Sequence, residues 1–416
     1  MNIAFAKIGK SIKFAGKGYT PTGGDNEPEG CLLALANRNP NITFYIVGRS
    51  NYKSLTQFEK TELFPYNNVI DIWDFYDSKN PIEDHVIEYL KKENIEIDFS
   101  VFMIGQIGQV SIPGKIHKLK DKTPGFASVI EMTLNYTSPI IKWINETEVP
   151  YLEIVNDPRY VCNQTRDMLR GPIYSLSQYD YRYSRKFIKS YEDQEQITEV
   201  VNSYYSGVET LFCVGREIPD TKLNEQKTGS FTIVLNEGKP SRYKMLSEWI
   251  LQNIDNVSIY GAWDNENAKS DLRFEGSRQL EEIQKIMSNV KYTFIIPIKE
   301  GWVTSKYIEM IHAGVIPFLH PTYDMQNHLH LPRFLRPHDP EQLMEHIKYL
   351  EDNDDYRLKL INDLQKMFCK PEYYDGSFIN NRIMESVFDY FGKDYKEPDL
   401  NEYQKNETNT LLNFFN

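Results

Sequence analysis

Three short stretches combine residue types that can do chemistry. In Asn236-Glu-Gly-Lys-Pro-Ser-Arg, the residues Gly238, Lys239 and Arg242 lie between an apolar run and an amphipathic one. A helix start offers free N–H groups to a phosphate, and a guanidinium can grip one with two hydrogen bonds. The same residues also suit an ordinary polar turn. In the second stretch, Thr304, Ser305, Lys306 and Glu309 open another helical run, with Lys306 and Glu309 three apart on one face. A carboxylate there can accept both hydroxyls of a ribose while the cation meets a diphosphate. A plain surface ion pair is the alternative. The third is Val155-Asn-Asp-Pro-Arg-Tyr, with Asp157 at the end of an apolar run and Arg159 two residues on. Asp157 can act as a general base with Arg159 orienting it, or can cap a bend before Pro158.

Other stretches carry weaker signals. Residues 16–24 are Gly-rich but do not fit G-x-G-x-x-G, so a dinucleotide site is poorly supported there. Residues 115–122 hold four Lys and a His, and 179–189 interleave Arg and Lys with Tyr and Phe. Such stretches suit the phosphates and bases of double-stranded DNA, or simply a solvated loop and helix face. His328 and His330 lack a nearby third ligand, so no metal site can be named.

These residues need elements to hold them. Residues 2–8, 41–48, 97–105 and 150–157 read as strands, with helical runs at 82–92 and 138–146 between them. A second series begins near Gly229: strands at 231–238, 257–263, 292–298 and 315–320 alternate with helices at 241–254, 277–289, 303–314 and 339–352. Gly314 is placed to close one of these helices, while Asp339 and Pro340 are placed to open another. Alternation of this kind predicts two doubly wound parallel sheets, with ligands outside the carboxyl ends of their strands. The expected division is 1–226, with a polar insertion over about 164–226, then 227–393, which takes in a helix near 379–391, and a tail at 394–416.

Composition narrows the class. The chain has 416 residues, 47 basic and 59 acidic, for a net charge of -12. That excludes a surface basic all over but leaves room for a local basic groove. Four scattered Cys fit reduced thiols, and no run of about 20 apolar residues is present to span a membrane. A cytoplasmic monomer is expected, in a host cytoplasm if the chain is phage-encoded.

In their order along the chain, these stretches resemble the GT-B glycosyltransferases, and within them the phage DNA β-glucosyltransferases. The resemblance rests on MNIAFAKIG, VNDPRY, SRYKMLSEWIL, NVSIYGAW with the following FEG, TSKYIEMIHAGVIPFL and the RFLRPHDPEQLMEHIKYLEDNDDYRLKLI region. It implies two Rossmann-like domains facing a central cleft and a UDP-sugar donor, with UDP-glucose first and Mg2+ or Mn2+ as an optional cation. It implies Asp157 as base with Arg159 beside it, Arg242 and Lys306 on the diphosphate, and Glu309 on the ribose. Transfer would invert the sugar, onto a hydroxymethylated base in DNA. Two departures are Lys306 where the family has Arg, and one cation fewer in NEGKPSR. A glycan, lipid or small-molecule acceptor is the competing expectation, and a non-catalytic nucleotide-sugar-binding protein is a third.

Overall fold

The computed structural model describes residues 1–8, 11–14, 26–72, 84–104, 139–155, 173–177, 227–238, 240–278, 280–297, 304, 306–325, 329–369 and 376–398. The chain divides into two units: Met1–Arg216 with Glu372–Asn416, and Glu217–Pro371.

The first unit runs β1 (Asn2–Ile8), α1 (Asn26–Arg38), β2 (Thr43–Ile46), α2 (Gln57–Leu63), β3 (Val69–Asp71), α3 (His85–Lys92), β4 (Phe99–Ile104), α4 (139–147), β5 (Tyr151–Val155) and β6 (Tyr174–Ser177). All six strands pair in parallel, in the order β3-β2-β1-β4-β5-β6. Both faces of the sheet are covered, which is why its inner strands are mostly apolar runs, with Lys7, Ser100 and Glu153 as buried polar exceptions. Ile3, Phe5, Val101 and Met103 face one core, and Ala4, Ala6 and Phe102 face the other. The second face is covered by Val86 and Leu90 of α3 and by Ile140, Trp143 and Ile144 of α4.

The second unit runs β7 (Gly229–Val234), α5 (Pro240–Leu246) continuing as a π turn over Ser247–Leu251, β8 (Ser258–Tyr260), α6 (Glu266–Ser270) and β9 (Phe274–Gly276). It continues with α7 (Leu280–Met287), β10 (Val290–Ile295), α8 (Lys306–His312), β11 (Ile316–Leu319), α9 (Pro340–Asp352) and α10 (Asp354–Phe368). Its parallel sheet has the order β11-β10-β7-β8-β9. The winding runs outward from β7 through β8 to β9, then resumes at β10 on the other side of β7. The switch point therefore lies between β7 and β10. The π turn buries the consecutive residues Trp249 and Ile250, and Trp249 stacks on Phe294 of β10 at 5.1 Å. At the close of α8, Gly314 has φ 70, with Gly314 N–H donating to Ile311 O and Val315 N–H to Met310 O. Asp339 caps α9 through the Gln342 N–H, with Pro340 at the first turn.

Two expectations change. The last helix, α11 (Ser377–Tyr390), belongs to the first unit, not the second. Its Ile379, Ile383, Met384 and Val387 join α1 over the Ile3–Phe5 face. A closed ring of side chains holds it: Asn39 donates to Asn380 Oδ1, Asn380 to the Tyr395 hydroxyl, and that hydroxyl to Asn39 Oδ1. Within 164–226, read as irregular, Tyr174–Ser177 forms the edge strand β6.

Candidate functional site

The carboxyl edge of the second sheet is built from backbone stitched to backbone. Leu235 N–H donates to Tyr260 O at 2.8 Å, and Glu237 N–H to Ala262 O at 2.9 Å. Asn236 Oδ1 accepts from Ala262 N–H at 2.8 Å. Glu237 is buried and its Oε2 takes the N–H groups of Asp264 and Asn265 at 2.6 and 2.9 Å. The loops after β7 and β8 thus form one rigid double layer, and Gly238 turns the chain into α5 with φ 58.

Arg242 reaches back from α5 over this edge. Its Nη1 donates to Asn236 O at 2.7 Å and its Nη2 to Ile296 O at 3.0 Å. Asn236 follows β7 and Ile296 follows β10, so the guanidinium spans the switch point itself. Burial lowers its pKa to about 10, still charged at neutral pH. Both acceptors are neutral carbonyls, and among the described residues no carboxylate pairs with it. Its Nε is buried and has no partner among the described residues. A buried donor without an acceptor costs roughly 1–3 kcal/mol.

Near it stands the start of α8. Lys306 Nζ donates to Glu309 Oε2 at 2.6 Å, with their side chains 32% and 18% exposed. Thr304 is held by Tyr323, whose ring is fully buried. Helices α5 and α8 follow the paired strands β7 and β10, which sets Arg242 and the Lys306–Glu309 pair on the same edge of the sheet. On the same edge, His320 follows β11, packed edge-on against Trp249 at 5.0 Å. Burial lowers the His320 pKa to about 4, so the ring is neutral, and Thr322 N–H donates to its Nδ1.

Of the residues singled out in the sequence, Gly238, Arg242, Thr304, Lys306 and Glu309 therefore stand on one sheet edge. Lys239, Ser305, Asp157, Arg159, His328, the Gly-rich loop 16–24 and the basic stretches 115–122 and 179–189 lie outside the described residues. His330 is exposed, and among the described residues no cluster of three His, Cys, Asp or Glu can hold a metal ion. Cys31 and Cys369 are buried, and burial pushes the Cys31 pKa well up; Cys162 and Cys213 lie outside the described residues. No helix among the described residues is long and apolar enough to cross a membrane. Sequence reasoning missed Tyr323, Asn236 and Glu237. The last two sit inside the NEGKPSR loop, and their polarity after a buried strand was the only signal available.

Two doubly wound parallel sheets, one in each unit, have the architecture of the GT-B fold class. No family model matches the sequence, and no curated protein matches it. Solved structures do. A DNA-modifying β-glucosyltransferase, solved with and without uridine diphosphoglucose, covers 93% of this chain with 99% of its own at 10% identity and a TM-score of 0.55. The T4 phage enzyme BGT with UDP and Mn2+ gives the same coverage and identity and a TM-score of 0.56. Anabaena Alr3699/HepE with UDP also matches with the same coverage, at 10% identity and a TM-score of 0.51. At such identities the likeness shows the fold.

Proposed function

We propose that this chain is a UDP-sugar-dependent glycosyltransferase, with glucose as the sugar and inversion at the anomeric carbon. The observation that carries this reading is Arg242: a partly buried guanidinium bridging the ends of β7 and β10, with no carboxylate partner among the described residues and a spare donor. A diphosphate supplies the missing anion. Glu309, released from Lys306, takes the ribose diol, and Lys306 swings to the phosphates. Gly238, Lys239, Thr304 and Ser305 complete the cradle with backbone and hydroxyl donors.

The chemistry asks little else of this edge. As the bond from sugar to diphosphate breaks, negative charge grows on the departing oxygen, and cations fixed in advance stabilise it. Asp157 removes the proton from the attacking hydroxyl, with Arg159 orienting it, and a base so placed contributes about 10²–10⁴-fold.

For the acceptor, we infer a hydroxymethylated base in double-stranded DNA, reached through 115–122 and 179–189. Support comes from the sequence resemblance and from the DNA-modifying enzyme that shares the fold. The net charge of -12 favours the second reading, a glycan, lipid or small-molecule acceptor. The test is incubation with labelled UDP-glucose and hydroxymethylated DNA, plain DNA or an oligosaccharide mixture. Label on hydroxymethylated DNA alone supports the first reading, and label on the oligosaccharides the second. UDP binding with neither transfer nor hydrolysis would turn the chain into a nucleotide-sugar-binding protein.

A further inference from the structure

Tyr323 is fully buried, and among the described residues its hydroxyl bonds to Thr304. It donates to Thr304 O at 2.5 Å and accepts from Thr304 N–H at 2.9 Å, and Thr304 Oγ1 lies 3.3 Å away. Tyr323 is itself fixed to the sheet. Its N–H donates to His320 O at 2.8 Å, and His320 N–H donates to Ile295 O at 2.9 Å. A bracket thus runs from the end of β10 through His320 and Tyr323 to Thr304, two residues before α8. Helix α8 has 7 residues, too few to fix its own start cooperatively. A Phe would fill the same apolar space, so packing alone does not call for the hydroxyl.

We propose that Tyr323 is a positioning residue for the nucleotide: its hydroxyl fixes Thr304 and so sets the reach of Glu309 to the ribose diol. This inference rests on the role given to Glu309 above. Burial keeps the phenol protonated by raising its pKa, so it can donate and accept at once.

The test compares UDP with 2′,3′-dideoxy-UDP by calorimetric titration of the wild type and Tyr323→Phe. The wild type is expected to prefer UDP by about 10–100-fold, the worth of a hydrogen-bonded diol on a carboxylate. In Tyr323→Phe that preference falls to about threefold or less, while dideoxy-UDP binds within about twofold of wild type. Hydrogen exchange at the Thr304 amide quickens about tenfold or more, with the strands of the second sheet unchanged. An equal loss for both ligands, an undiminished preference for UDP or an unchanged Thr304 amide overturns the inference and leaves the donor site standing. A wild type that binds both ligands equally removes the ribose role of Glu309 and this inference together.

Discussion

Gly261 and Leu235 meet backbone to backbone where β8 leaves the sheet: a Cβ at Gly261 would lie 2.1 Å from Leu235 O. The same glycine has φ +143 and donates its N–H to Gly276 O. Nothing but glycine fits, because both the backbone angle and the space forbid a side chain. Gly261→Ala is expected to cost on the order of 3 kcal/mol, combining strain and overpacking. For a unit of this size that lowers the melting temperature by about 6–12 °C. Calorimetry checks it, and a shift under about 2 °C would mean the two loops are not stitched as described.

Lys227 makes the second unit pH-sensitive at the opposite edge of the sheet. Its Nζ donates to Val290 O and Ala313 O, both at 2.9 Å. Burial, with a smaller push from Arg357, lowers its pKa to about 8. The folded pKa lies below the unfolded one, so between them the unfolded chain holds more protons and stability rises with pH. Below about pH 8 both states hold the proton and the penalty stays constant. From pH 7 to 9 this group adds on the order of 1 kcal/mol. Lys227→Met is expected to flatten that rise in urea titrations; an unchanged slope would show that Lys227 titrates as in water.

The returning helix is expected to be indispensable to the first unit. Asn380 is wholly buried, and Asn380→Ala removes one hydrogen bond from the Asn39 amide and one from the Tyr395 hydroxyl. The expected cost is about 2–4 kcal/mol, against about 1 kcal/mol or less for Glu397→Gln, which only weakens the more exposed pair with Arg38. Chemical unfolding of both variants checks the contrast.

Much of this fold was legible because buried parallel strands are apolar runs and helix ends carry local chemistry. Gly314 and Asp339 were readable for that reason. The home of α11 was not: an apolar helix face does not say which sheet it covers. Strand β6 escaped because Tyr174–Ser177 is a short edge strand with Ser at alternate positions. Arg242, Lys306 and Glu309 stood out by charge and spacing. Tyr323 did not, since a buried Tyr reads as core until its hydroxyl is seen 19 residues away on Thr304.

Asp157→Asn is expected to separate binding from chemistry. It keeps the size and removes the base, so transfer from UDP-glucose falls about 10²–10⁴-fold while UDP affinity stays within about twofold. Transfer at the wild-type rate would take the base role away from Asp157.

The most direct measurement is calorimetric titration of UDP and of uridine against the wild type and Arg242→Ala. Removing a guanidinium that answers a diphosphate should weaken UDP by about 10–100-fold, worth the roughly 1.5–3 kcal/mol of a charged hydrogen bond, and leave uridine unchanged. UDP binding as tight in Arg242→Ala as in the wild type would contradict a diphosphate site at the junction of β7 and β10.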